Sequence, residues 1–517
     1  MKIFRFRAVI VLSTVATSAL LGVVAACTTV SGDFPTVAYP DGSVLPDAGG
    51  DADSSIVFPV TGCEPSPKDD ASVIEDRCGT FVVPAAKGGD DTTGDGTRAK
   101  PYATLAKAVA RAKVTRKRVY ACSATYPEAV VVEGESVDIF GGFVCPGEAS
   151  AWTYGTGKST LEPTTVGIGL TVRSVTKMRV EDVAVRVKDG TAEAPTSMAV
   201  FVALSSDVAF RRVDFVAGQG APGKDGVTRT NHDGGVAPAG NDTNGAMGGA
   251  AKTCACGTTS SIGGKGGDAV PTPQDGLAGS STPSVPDAGA TGQGGRVVGG
   301  TVCSNGDEGG RGQAPVAAQA ATSGTLSAGG WMPSPPPGGH VGNPGQGGGG
   351  GAASVSNAFG GAGGGCGGCG GGLGEGGTSG GSSFALGIFA STAVSLGTSS
   401  LKAGPGGPGG NGGNGQGGQA GGTTGTKSGA ACFGGFGGPG SGGGGGGGGA
   451  GGHSAALIHS GEAPSLLDTV LTRGTGGGKG GGGLGGPAAA GGTLPAFPGP
   501  PGPDGTAGQA IDILKLD

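Results

Sequence analysis

The chain has 517 residues, 122 of them Gly and 34 Pro, with only 4% aromatic and a net charge of −6. A combined Gly and Pro share of about 30% lies in the low-complexity range and argues against counting conventional domains. The mild acidity of the chain as a whole speaks against nucleic acid as a partner.

At the N-terminus Lys2, Arg5 and Arg7 form a short basic leader, and residues 8–24 are almost wholly apolar. Val24-Ala25-Ala26-Cys27 follows: an apolar residue, two small ones and a cysteine. A basic stretch, an apolar stretch and small residues before a cleavage point make a secretory signal, here residues 1–27. The cysteine after the small pair resembles the lipobox of bacterial lipoproteins, which implies that the Cys27 thiol is acylated and becomes the mature N-terminus. Thr28 rather than Asp follows it, and by the same resemblance this favours the outer membrane or cell surface over the inner membrane. An ordinary signal peptide or an uncleaved membrane helix is the plainer alternative. Acyl chains contribute roughly 0.8 kcal/mol per buried CH₂, enough to anchor without a span. No later stretch approaches the ~20 apolar residues that a span requires.

Residues 28–62, rich in Pro, Asp, Gly and Ser, read as a disordered tether, and structure is expected from Cys63. A turn-rich run containing Asp90, Asp91 and Asp95 leads to a predicted helix, with Leu105, Ala108, Val109 and Ala112 at helical spacing through Lys113. The acidic run lacks the spacing and terminal Glu of an EF-hand and reads as a turn cluster before that helix. This stretch resembles the cap that opens many bacterial right-handed parallel β-helices, where a short helix covers the first rung.

Aligned with itself, the chain shows four superposable segments: 167–188, 197–218 and 383–404, each 22 residues, and 454–474, which has 21. In 197–218 the apolar positions include Val200, Val202, Leu204, Val208, Phe210, Val213 and Phe215. In 383–404 they are Leu386, Ile388, Ala390, Val394, Leu396, Ser399 and Leu401; the last copy keeps Leu457, Leu466 and Leu471. Period-two alternation in short runs marks strands. One coil cannot bury its own apolar face, so coils must stack. The expectation is an all-β fold, a right-handed parallel β-helix of about 22-residue coils with an N-terminal capping helix. Residues 63–218 hold the cap and first coils, including a divergent one at 118–143. Residues 383–404 and 454–474 are later coils, and 508–517 a terminal partial one.

The glycine tracts fall between coils, at 219–382, 405–453 and 475–507, as insertions leaving one corner of the stack. Gly recurs at every third position from Gly406 to Gly421 and from Gly365 to Gly380, a period that suits an extended helix of three residues per turn. The tracts are therefore either disordered or polyglycine-II-like; collagen is the rival, but the frame breaks repeatedly. The whole resembles Gly-rich β-helical lipoproteins of myxobacteria-like bacteria. The glycine tracts alone also resemble the PGRS regions of mycobacterial surface proteins, although that family's N-terminal domain is missing.

Beyond Cys27 there are ten cysteines: Cys63, Cys78, Cys122, Cys145, Cys254, Cys256, Cys303, Cys366, Cys369 and Cys432. An even number in an exported chain predicts disulfides, with Cys63–Cys78 and Cys122–Cys145 preferred from proximity. The rival is a metal site at Cys254, Cys256, Cys366 and Cys369, which has no histidine close by. In a threefold helix Cys366 and Cys369 lie roughly 9 Å apart, beyond the ~7 Å limit for a disulfide. Each is expected to pair elsewhere, for example with Cys303 or Cys432.

Parallel β-helices host pectate lyases and polygalacturonases, whose chemistry needs carboxylates converging on one face. The runner-up catalytic candidates are Asp182, Arg212 and Asp214, among the charges Glu181, Lys188, Asp207 and Arg211 on adjacent coils. Asp182 and Arg212 occupy equivalent repeat positions and are expected to stack; the plainer reading makes all of these solvent-facing charges. His232, His340, His453 and His459 have no zinc-like spacing. The expected function is therefore a non-catalytic lipoprotein of the cell envelope, a structural or adhesive scaffold displaying Gly-rich loops. Its partners are the membrane, through the lipid, and glycans or other surface proteins, with no cofactor and no metal. The alternative is a polysaccharide lyase or glycoside hydrolase.

Overall fold

The computed structural model describes residues 62–516, except 116, 148–150, 230–234, 285–291, 300–301, 355, 357 and 491–493. The leader, Cys27, nearly all of the tether and His232 lie outside the described residues. The fold is mostly β, with 27% of residues in strands, and it is organised around three parallel sheets.

The first sheet has seven strands in the order Gly79–Val82, Arg118–Cys122, Ile139–Phe143, Thr176–Glu181, Ser206–Arg211, Ser395–Gly397 and Ser465–Leu467. The second has six: Thr125–Tyr126, Ser159–Leu161, Val183–Arg186, Asp214–Val216, Ser400–Lys402 and Val470–Thr472. The third also has six: Val130–Glu133, Ile168–Arg173, Ser197–Ala203, Ser383–Phe389, Ser454–Ser460 and Ala510–Leu516. From Arg118–Cys122 onward the chain visits first, second and third sheet in turn and then repeats, each new strand lying beside the previous one of its sheet.

The register follows the repeat. Val200 pairs with Leu170 and Leu386, Leu386 with Leu457, and Leu457 with Ile513. Phe210 pairs with Val180 and Leu396, and Phe215 with Val185 and Leu401. These columns, except for the exposed Ile513 at the end of the first, form one apolar core. A parallel ladder repeats each position directly above itself, so an apolar residue kept at one position in every copy becomes a continuous stack. The turn from first to second sheet repeats too: Asp182, Arg212, Thr398 and Asp468 all adopt left-handed φ of 49–55°, a conformation uncommon outside Gly and set here by the tight corner.

The helix Leu105–Thr115 buries Leu105, Ala108, Val109 and Ala112 in the same core, against the first strands. Its N-terminus is held by two carboxylates. Asp91 accepts from the N–H of Ala103 and Thr104, and Glu128 from that of Leu105 (2.7 Å) and Ala106 (3.0 Å). Four N–H groups at a helix start have no partner within the helix, so these carboxylates satisfy what the helix cannot. Asp90 and Asp95 cap their own turns through Thr92, Thr93 and Thr97.

All three insertions leave after a second-sheet strand and return into the third sheet. The first also carries short antiparallel elements that the sequence reading did not separate: Lys252–Cys256 with Thr259–Gly263 and Ser280–Thr282, Val297–Val298 with Val302–Cys303, and Thr325–Ser327 with Gly330–Met332. The last of these places Trp331 on the outer face of the third sheet, over Met198, Phe201, Phe384, Ala455, Ile458 and Leu514. That sheet is therefore apolar on both faces.

The glycine segments are ordered by backbone hydrogen bonds in steps of three. Gly220, Gly223 and Gly226 donate to the carbonyls of Pro405, Pro408 and Asn411, and Gly406, Gly409 and Gly412 to those of Thr475, Gly478 and Gly481. Other neighbours run the opposite way: Gly407, Gly410, Gly413 and Gln416 donate to Gly381, Thr378, Glu375 and Gly372. Residues 437–459 are buried without a break. A Cβ on Gly410 would meet the carbonyl oxygen of Lys224, and one on Gly446 that of Glu375. At these two positions the close approach of backbones admits no side chain. Of the two states expected for the tracts, the disordered one does not describe these segments.

Candidate functional site

The charged residues picked from the sequence converge at the corner between first and second sheets. Arg212 Nε donates to both carboxylate oxygens of Asp182 at 3.0 and 3.1 Å, while its Nη2 reaches Asp182 Oδ2 at 2.8 Å and Glu181 Oε2 at 2.6 Å. Asp182 and Arg212 are thus stacked neighbours, as the repeat predicts. The expectation of solvent-facing charges holds for Asp207, which is exposed, and fails for Glu181 and Asp182. Glu181 is fully buried and Asp182 nearly so, because the N-terminal disulfide-bonded segment folds over them. From that segment the Ser66 hydroxyl donates to Glu181 Oε2 at 2.8 Å, and Lys68 Nζ stands 3.9 Å from Asp182 Oδ1.

Burial works against the Arg212 charge, but hydrogen bonds and proximity to Asp182 and then Glu181 outweigh it and push the guanidinium pKa up. Burial, followed by the carboxylates of Asp182 and Glu181, pushes the Tyr154 phenol well above its usual range. Asp214 does not join the cluster; it is paired with Lys158 at 2.7 Å. Lys188 donates to the carbonyl of Thr164. Glycoside hydrolysis needs two carboxyl groups facing each other across room for a sugar or a water. Here both carboxylates share one guanidinium under a covering segment.

The second constellation lies at the corner where the insertions branch. The Ser383 hydroxyl donates to the carbonyl of Gly218 (2.6 Å) and accepts from the N–H of Gly404 (2.8 Å). Ser454 does the same with Gly404 and Gly474, and Ser197 with Lys188 and Gly218. Each buried hydroxyl thus ties the end of its own coil to the end of the coil before, and for Ser383 and Ser454 that bond crosses the neck through which a glycine insertion leaves. The sequence signal was present, since all three serines open an aligned copy, but hydroxyl bonding leaves no trace in an apolar pattern.

Five disulfides are formed, including Cys63–Cys78 and Cys122–Cys145 as preferred from proximity. Cys366 and Cys369 do pair elsewhere, but with Cys254 and Cys256 rather than with Cys303 or Cys432, which bond to each other. The four cysteines considered as a metal set are thus two parallel staples. Residues two apart on a strand share a face, as do residues three apart on a threefold helix. Cys254-x-Cys256 on a strand therefore matches Cys366-x-x-Cys369 on a glycine segment. Cys303 meets Cys432 because 306–312 and 433–439 run side by side, Gly306 and Gly309 donating to Phe433 and Phe436.

The histidines are scattered. His453 is buried beside Trp331, its Nδ1 accepting from the Gln509 N–H at 2.9 Å, and burial holds its pKa below the usual value. His459 is buried on the next third-sheet strand segment, and His340 is exposed. Among the described residues no three His, Cys, Asp or Glu side chains are grouped to hold a metal, and no helix is long and apolar enough to cross a membrane. No family model, curated protein or solved structure matches the chain.

Proposed function

We propose that this chain is a non-catalytic scaffold of the bacterial envelope or cell surface, held to a membrane by a lipid on Cys27. In this reading the three-sheet stack is a right-handed parallel β-helix, the hand that parallel crossovers nearly always take. The threefold glycine segments are polyglycine-II-like helices bundled beside it. The single observation that carries the proposal is the hydrogen-bonded glycine bundle. Its material goes into a rigid shape with few side chains to do chemistry. The five disulfides support export, since such bonds persist in oxidising compartments.

Mass spectrometry of protein taken from bacterial envelopes tests the anchor: the expected N-terminal peptide begins at an acylated Cys27. A chain retaining Met1, or beginning at an unmodified Cys27, overturns it. The scaffold reading is tested by incubation with cell-wall and plant polysaccharides with and without Ca²⁺. Turnover lost in Asp182→Ala or Arg212→Ala would make the enzyme reading the correct one.

A further inference from the structure

The capping helix carries charge that the fold itself does not use. Residues 96–127 hold eight of the 33 Lys and Arg and no Asp or Glu, in a chain whose net charge is −6. Among the described residues, none of Arg98, Lys100, Lys107, Arg111, Lys113, Lys117 and Arg118 is in an ion pair. Lys113, Lys117 and Arg118 donate to backbone carbonyls, those of Glu133, Asp76 and Pro65. On the helix Leu105–Thr115, Lys107, Ala110, Arg111 and Val114 follow at steps of three and four and share one side. All four are exposed, Val114 to 69%, opposite the buried Leu105, Ala108, Val109 and Ala112. An open hollow of about 450 Å³ lies along this side, lined by Asp95, Tyr102, Lys107, Ala110, Arg111 and Val114.

The acids at this end sit around that face rather than across it. Asp91 and Glu128 bind the N–H groups at the helix start, Asp90 and Asp95 cap their own turns, and Asp76 accepts from the Arg98 N–H. Glu133, 3.7 Å from Arg173, and the exposed Glu135 lie past the helix end near Lys113, and Glu75 is paired with Arg77. Asp95 is the one acid that lines the hollow. The chain also enters beside this end. Gly62 lies next to Arg77, and Cys63 is bonded to Cys78, whose carbonyl accepts from the Arg118 N–H.

We infer that the outer side of the capping helix docks on the phosphate headgroups of an anionic bilayer leaflet. Lys107 and Arg111 face the phosphates, and Val114 with Ala110 meets the boundary of the acyl chains. Basic side chains beside a membrane anchor are drawn to anionic lipid, and apolar residues among them are buried at the headgroup level. A nucleic acid or an acidic polysaccharide would match the cations alone and leave Val114 without use. The inference rests on the membrane reading proposed above for the presence of a leaflet. It adds that the stack stands on its capped end, with a second attachment that is electrostatic.

The test uses the full chain isolated from envelopes and reconstituted into vesicles of phosphatidylcholine, with or without phosphatidylglycerol. A membrane-impermeant acylating reagent modifies exposed amines, and mass spectrometry reads each lysine. The expected result is several-fold slower modification of Lys107 on the anionic vesicles, lost at high salt. Lys224 and Lys402, exposed elsewhere on the molecule, should react alike on both. Arg111→Ala, at an exposed helix position that alanine suits, should lower the ratio of docked to undocked chain about fivefold, the worth of one basic side chain at such a leaflet. Val114→Asn should weaken docking as well. Equal reaction of Lys107 on the two kinds of vesicle overturns the proposal. So does protection that high salt, or both substitutions, leave in place. Protection by a DNA duplex or an acidic polysaccharide as strong as that by anionic vesicles assigns the face to that partner instead. Failure of the anchor is told apart by an unacylated N-terminal peptide, because the two vesicle types are compared on one and the same chain.

Discussion

The molecule has two cores built on opposite principles. In the three-sheet stack, side chains do the burying: Leu170, Val200, Leu386 and Leu457 form one continuous inward column with no exposure. In the glycine bundle, residues 437–452 are buried with Pro439, Ser441 and Ala450 as their only side chains. The first core removes apolar area from water at about 25 cal/mol per Å². The second has little apolar area to remove and relies on backbone N–H and C=O groups satisfying one another along several neighbours. It also starts from a handicap, because glycine loses more backbone freedom on ordering than any other residue, roughly 0.5–1 kcal/mol relative to Ala. The distribution of staples fits that difference: three of the five disulfides, closing separations of 112, 113 and 129 residues, lie in the glycine part. Cross-links across long loops remove the most freedom from the unfolded chain.

The sharpest way to break the comparison is to add one side chain where there is none. Gly446→Val forces a branched side chain against the Glu375 carbonyl, and overpacking alone costs 1–3 kcal/mol in ordinary cores. With backbone on every side, the expected loss is about 4 kcal/mol or more, read as collapse of the bundle in exchange protection at 437–452. A tolerated Gly446→Val would show that the segment is not close-packed. In the other core the same logic runs in reverse. Leu386→Ala removes atoms from a full column and should cost about 2–5 kcal/mol in thermal or denaturant unfolding. A change below about 1 kcal/mol would deny the column its role.

Smaller effects probe the joints. Replacing both Cys254 and Cys366 by Ser opens one of the two parallel staples and should cost about 2–4 kcal/mol. The loss should fall on the bundle and spare the strands. Because Cys256–Cys369 remains beside it, the lower end of that range is expected. Equal loss of protection in both cores would mean that they unfold as one unit. Ser383→Ala leaves the Gly218 carbonyl and the Gly404 N–H without the hydroxyl that joins them, at about 1–3 kcal/mol for buried unpaired groups. Its signature is early exchange at residues flanking the neck.

How far these two cores were legible in the sequence differs for physical reasons. The stack was readable because a parallel ladder repeats each position, so the apolar spacing of 197–218 predicts its partners in 383–404 and 454–474, and the observed pairs agree. The helix face Leu105, Ala108, Val109 and Ala112 was readable from its period. The glycine tracts gave their threefold step but not their order, since order there depends on which distant backbones meet, and glycine carries no side chain to signal a neighbour. Trp331 was missed because it covers the outer face of a sheet from within a glycine-rich stretch, where no alternation marks it. The Glu181–Asp182–Arg212 contacts followed from repeat position, whereas the covering by Ser66 and Lys68 joins residues more than a hundred positions apart and has no local signature.

The smallest predicted effect sits where the two cores touch. His453 ends the buried glycine run and immediately precedes the strand Ser454–Ser460; its Nδ1 accepts from Gln509, whose segment enters the last third-sheet strand, and its ring meets Trp331 edge-on. Accepting that bond requires the neutral form of the ring at Nδ1, and burial holds the pKa below the ordinary value. The sign follows from linkage. As pH falls through the ordinary histidine range, the unfolded chain takes up a proton that the folded site resists, so stability is present above that range and declines below it. Unfolding measured across mildly acidic pH should show this slope in the native chain and a shallower one in His453→Gln, which cannot titrate. If the slopes coincide, His453 is not the group that registers acid at this joint. Exchange at Ser454 and Gln509 then decides whether the joint still opens in acid through the neighbouring strands, or whether the two cores stay locked independently of pH.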